Sequence, residues 1–176
     1  MGDAAFMELL TETATVLRPR VALDDDGAPK TPAYERTGDE VRLRVMPGRI
    51  TSADGLLGRT EDATRVVYAE MADLRAADRL ETRPVRTELA DDADAGETTL
   101  PVVSGAGLLD GQRVVVGDEE VTLVAVGVDE VTVTPGLAAD HEAGEAVEVL
   151  VRYEVLTVED EAGAGHHLRL RAIELI

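Results

Sequence analysis

The sequence predicts an all-β protein: a small antiparallel β-barrel with a short N-terminal helix, plus a second small β-barrel or sandwich inserted before the last hairpin. Three patterns predict it. From Glu40 to Met46 apolar and polar residues alternate, with Val41, Leu43 and Val45 on one side and Arg42 and Arg44 on the other, the period of a half-buried strand. Between Thr99 and Val149, "GDEEVTLVAV" at Gly117 is echoed ten residues later by "GVDEVTVTPG" at Gly127, a spacing of one strand plus one turn. From Val151 the chain closes in two β-rich runs, Val151–Val158 and His167–Leu175, around "EDEAGAGH".

Taken in order, Gly2 to Thr13 reads as the helix, with Phe6, Leu9 and Leu10 on one face, Thr13 alongside, and Asp3 and Glu8 favouring its first turns. That face is a candidate interface. Val16 to Leu23 is a first strand, closed by the turn cluster Asp24, Asp25, Asp26 and Gly27. Pro47 and Gly48 end the Glu40–Met46 strand, and Arg49 to Ala63 follows as a loop with Leu56 and Leu57 at its middle. Thr64 to Ala72 and Asp78 to Arg83 are further strands. Arg83-Pro84 opens a second compositional zone, beginning with the polar, linker-like "ELADDADAGETT". The expected domains are therefore a discontinuous barrel, residues 1–83 and 151–176, and an insert, residues 84–150.

A chain of 176 residues is long enough to bury about 70% of its unfolded surface. With no Trp, one Phe and three Tyr, the core must be built from Val, Leu and Ala. The absence of cysteine excludes disulfides, thiolate zinc sites and cysteine nucleophiles. There are 36 acidic residues against 17 basic ones, Lys30 being the only lysine, for a formal charge of −19. Such a surface repels nucleic-acid phosphates and anionic membranes, the opposite of what a sequence-reading DNA protein needs. The composition resembles that of proteins from extreme halophiles, with an acidic high-GC genome as the alternative. At 1 M salt the Debye length falls to about 3 Å, which would screen the self-repulsion. No apolar run is long enough for a membrane helix and no basic n-region of a signal peptide is present, so a soluble protein is expected.

Motifs that carry chemistry are sparse. His166 and His167 are neighbours on an expected strand, so their side chains point to opposite faces and do not converge on a metal. One of them with Glu159, Asp160 or Glu161 could clasp a cation, but a solvated hairpin loop is the simpler reading; His141 lies in the other zone. The Asp24–Gly27 cluster lacks the alternate ligands and terminal Glu of an EF-hand loop, and Asp with Gly is a strong turn signal. Ser52 and Ser104, the only serines, sit in no nucleophile elbow, and no zinc-protease or phosphate-loop motif occurs. No catalytic, cofactor or metal residues are expected. The loop segment Ser52, Asp54, Gly55, Leu56, Leu57, Gly58 and Arg59 is a candidate interaction element, because long loops in compact domains are usually functional or disordered and adjacent exposed leucines are costly without a partner.

In their order, "TATVLRPRVALDDDGAPKTPAYERTGDEVRLRVMPGR", "TRVVYAEMADLRAADRLETR" and "RYEVLTVEDEAGAGHHLRLRAIEL" resemble the head-completion (head-tail joining, or adaptor) proteins of tailed viruses. Residues 14–83 and 151–175 carry the resemblance, its last two elements being Asp78-Arg79-Leu80 and Tyr153 to Asp160 through Leu168 to Leu175. The segment Pro84–Leu150 departs from the family, which has a brief turn there; it is similar to small β-modules of virion and surface proteins. The resemblance implies a ring, commonly a dodecamer, seated under the portal with a tail protein below. Such a ring closes the filled head, and viral DNA passes its lumen without sequence-specific binding. The segment around Ser52–Arg59 would project into the channel, and the protein would reside in the virion after assembly in the host cytoplasm. A portal-proximal adaptor or tail-terminator ring shares this logic. An extracellular carbohydrate- or calcium-binding β-module is the alternative of another class.

Overall fold

The computed structural model describes residues 6–23, 26, 28, 30–47, 64–160 and 167–175. Strands dominate, as the Val- and Thr-rich runs require. They sort into two compact units, Met1–Thr82 with Arg152–Ile176, and Arg83–Val151.

The first unit is a closed barrel of six strands: β1 (Glu12–Arg20), β2 (Ala33–Pro47), β3 (Thr64–Ala69), β4 (Arg79–Thr82), β11 (Val151–Asp160) and β12 (Leu168–Leu175). The order around the barrel is β1-β2-β3-β12-β11-β4, with antiparallel pairing throughout the registers of β1–β2, β2–β3, β3–β12, β12–β11 and β1–β4. Alternation fills it. Val41 and Leu43 are buried while Arg42 and Arg44 are exposed, and Val16, Val67, Leu80, Val155 and Leu170 complete an aliphatic interior. Each such side chain contributes about 1.5–3 kcal/mol by leaving water.

Three expectations for this unit are corrected. Among the described residues, helical conformation is confined to Phe6 and Met7, followed by turn bonds from Leu9 N to Phe6 O (2.9 Å) and Leu10 N to Met7 O (3.3 Å). Glu12 and Thr13, expected to be helical, already belong to β1, where the χ1-restricted Thr13 and Thr15 suit the pleat. The strand therefore runs Glu12–Arg20 and not Val16–Leu23; Val21 and Leu23 lie beyond it and are exposed. Pro19 is accommodated because β4 pairs only with Ala14 to Leu17, so the missing N–H falls outside that ladder. The strand expected over Glu40–Met46 begins at Ala33, because Thr37-Gly38-Asp39 is a bulge and not a turn. The register slips between Thr15 and Leu17, Gly38 adopts φ +86°, and Thr37 Oγ1 donates to Val16 O at 3.3 Å.

The second unit contains β5 (Val85–Glu88), β6 (Thr99–Pro101), β7 (Arg113–Val116), β8 (Glu119–Val126), β9 (Glu130–Thr134) and β10 (Ala146–Val149). They form one antiparallel sheet in the order β5-β10-β7-β8-β9-β6. Its two edges meet through a Leu89–Val102 bridge flanked by Ala90 N to Pro101 O and Val103 N to Glu88 O, both 3.0 Å. The sheet thus curls round its own core of Leu89, Leu100, Val114, Val116, Leu123, Val147 and their neighbours. The linker reading of "ELADDADAGETT" is overturned here. Leu89 and Ala93 are core residues, and Ala93 pairs with His141 across the module. The acidic residues between them mask two apolar anchors.

Candidate functional site

Three clusters of charged side chains are built into the two units. In the barrel, Asp78 stands at the start of β4 and is almost wholly buried, at 1% exposure. Arg18 of β1 meets it with two parallel bonds, Nε to Oδ1 at 3.1 Å and Nη2 to Oδ2 at 3.0 Å. The Arg75 backbone N–H donates to the same carboxylate at 2.9 Å, and Arg18 Nη2 also donates to the Asp73 carbonyl at 2.6 Å. The bond to Asp78 is the main reason the Arg18 guanidinium is held even more firmly in its charged form. Asp73 lies below the usual carboxylate range, chiefly through its bond from Arg75.

The second cluster sits where the chain leaves and re-enters the barrel. Glu81, 3% exposed, accepts from Arg152 Nε at 2.9 Å and from Arg36 Nη2 at 3.3 Å. Thr82 is the last barrel residue before the second unit and Arg152 the first after it. The ion pair therefore ties together, across 71 positions of sequence, the two ends that the insert separates. Arg79 next to it stacks on the Tyr34 ring at 3.6 Å and pairs with Glu154 at 3.3 Å.

The third cluster belongs to the second unit. His141, 8% exposed, has Glu145 Oε2 at 2.8 Å from Nδ1 and Glu119 Oε1 at 3.3 Å from Nε2. Glu119 also accepts the backbone N–H groups of Ala138 (2.6 Å) and Ala139 (2.7 Å), and the first of these bonds is the main cause of its lowered pKa. Burial works to lower the His141 pKa, but hydrogen bonds to Glu145 and Glu119 outweigh it and raise the value. The two carboxylates address opposite ring nitrogens, so they cannot converge on one cation with the imidazole. Among the described residues no group of three or more His, Asp or Glu is placed to hold a metal ion.

The residues singled out by sequence are placed as follows. Ser52, Asp54, Gly55, Leu56, Leu57, Gly58 and Arg59 lie outside the described residues, as do His166, Glu161, Asp24, Asp25 and Gly27. His167 stacks on Phe6, with ring centroids 4.3 Å apart and planes 27° apart, and has Tyr68 at 6.2 Å. Of the proposed N-terminal interface, Leu10 is buried in the barrel, Phe6 is engaged by His167, and Leu9 is 50% exposed. Asp78 and Leu80, quoted as a strand motif, are respectively the partner of Arg18 and a core residue. Sequence reasoning passed over Glu81, Glu119 and Glu145, and set His141 aside as lying in the other zone. The spacing of His141 and Glu145 was a usable signal; the partnership with Glu119, 22 residues away, depends on the sheet.

Among the described residues no helix is long and apolar enough to cross a membrane. No family model, no curated protein and no solved structure matches the chain.

Proposed function

We propose that this protein is a structural subunit of a tailed-virus neck, forming a homo-oligomeric ring under the portal that closes the filled head and offers a docking surface to the tail. One observation carries the reading. The segments that resemble head-completion proteins, residues 14–83 and 151–175, are those that supply the strands of a single closed barrel, although residues 84–150 separate them. The order of motifs is thus also the order of one folded body.

Electrostatics support the same role. A ring of subunits with formal charge −19 presents a surface that repels DNA phosphates, so DNA can pass without adhering. Pairs between half-buried arginines and buried carboxylates, Arg18–Asp78 and Arg152–Glu81, act here as structural staples. Breaking such a pair is costly because it strands the remaining charge. The experiment is incubation of the full chain with purified, portal-bearing, tail-less heads in molar salt. Co-sedimentation at a saturating stoichiometry is expected with these heads and not with portal-less shells. Absence of binding to portal-bearing heads contradicts the role.

A further inference from the structure

The second unit carries most of the charge. Residues 83–151 contain fifteen carboxylates and three arginines, a net of −12 out of the chain's −19. Against that background its exposed apolar residues are unexpected. Val85, Val103, Leu109, Val124 and Val128 are the large hydrophobic side chains of this unit that remain exposed, at 53–86%.

All five gather along one loop, residues 102–112. Val103 N donates to Glu88 O at 3.0 Å, and Val103 and Ser104 line an open cleft of about 340 Å³ with Val85, Arg86, Thr87 and Glu88. Gly105 N donates to Val128 O at 2.8 Å, which brings the tip of the β8–β9 hairpin against the same loop. Gly111 N donates to Leu123 O, and Leu123 N donates back to Gln112 O, both at 2.8 Å, which pairs the end of the loop that carries Leu109 with the stretch of β8 that carries Val124. The other flanks of the sheet, β7, β9 and β10, expose no large apolar side chain. Val128 is the clearest case: it occupies the tip of the β8–β9 hairpin at 86% exposure, with the exposed Asp129 and Glu130 directly after it.

The rim is acidic. Glu88, Asp110, Asp129 and Glu130 are exposed beside these residues, and Arg86 is the exposed cation among them. A second copy presenting the same patch would set carboxylates against carboxylates. From this geometry we infer that the patch docks a different protein, one presenting exposed aliphatic side chains ringed by arginine or lysine. Apolar contact supplies the affinity and the acidic rim the selection, the usual division of labour at a specific interface. This holds whether or not the barrel belongs to a virus neck.

The probe is a synthetic amphipathic helical peptide of leucine and lysine, with a leucine–glutamate peptide as control, titrated against the full chain at 0.2 and 1 M salt. The comparison is the triple variant V103D, L109D and V128D, with V21D, an exposed position on the barrel, as a second variant. Aspartates add negative charge, so mere attraction of a cationic peptide to an acidic protein would tighten in the triple variant. The expected result is at least tenfold weaker binding of the lysine peptide by the triple variant, unchanged binding by V21D, and retention of part of the wild-type affinity at 1 M salt. Equal or tighter binding by the triple variant would overturn the inference. So would concentration-dependent self-association of the wild type that the triple substitution abolishes, which would make a second copy the occupant. Circular dichroism of each variant shows that the substituted chains remain folded.

Discussion

At the scale of single residues, the His141 cluster ties the stability of the second unit to pH. Its folded pKa is raised above the ordinary value of 6.5. A raised histidine pKa contributes stability that is fully present below the unfolded value and is lost as pH rises through the folded value. Glu119 has the opposite sign: its pKa is lowered from 4.5, so its contribution is present above that value and is lost as pH falls through the folded one. The second unit should therefore be most stable between these limits, in mildly acidic solution. Thermal unfolding at intervals from pH 5 to 9 should show a decline of its transition above about pH 6.5. H141Q should flatten that decline and cost about 1.5–3 kcal/mol at pH 6, the usual worth of charge-assisted hydrogen bonds. A wild-type transition independent of pH across this window would contradict the assignment. The cluster was only half legible in sequence. His141 and Glu145 are close along the chain, whereas Glu119 joins them because β8 turns back beside that loop.

Among elements, alternation was the most readable signal and turn chemistry the least. The period-2 run of β2 was plain, yet its first half was hidden because Thr37-Gly38-Asp39 has turn composition and serves as a bulge. The N-terminal helix was over-read for a related reason: Phe6, Leu9 and Leu10 suit a helical stripe, but the Thr-rich stretch after them is claimed by β1. Turns that are true hairpins make sharper predictions. Gly117, between β7 and β8, has φ +57°, and a Cβ there would lie 2.5 Å from Glu145 Oε1 and 3.2 Å from the His141 ring. G117A should therefore strain the backbone, at about 1–2 kcal/mol for a left-handed residue, and dislodge Glu145 from His141 as well. Its effect should fall on the melting of the second unit and leave the barrel transition unchanged. A fully tolerated G117A would mean that the turn and the His141 cluster are not coupled as described.

On the scale of the whole molecule, the chain behaves as a barrel interrupted by a self-contained module. Compositional breaks at Arg83-Pro84 and near Leu150 lie beside the junctions of the two units at Thr82/Arg83 and Val151/Arg152. A barrel was expected from the sequence, but the order in which its six strands pair was not legible, because it depends on which separated runs meet. Each unit has its own aliphatic core. Glu81 and Arg152 already hold the barrel's two cut ends together at 2.9 Å. Replacing residues 83–151 by a short Gly-Ser turn should leave a folded barrel with a cooperative thermal transition, whereas loss of that transition would show that the barrel depends on the module. Loop closure favours this outcome, since shortening the connection reduces the entropy that pairing must overcome.

The ring proposal is tested most directly by the mass that saturating protein adds to purified portal-bearing heads in molar salt. A neck ring predicts one discrete increment per head, an integral multiple of the 18.7 kDa subunit and absent from portal-less shells. No increment, or one that grows with shell area irrespective of the portal, would contradict it.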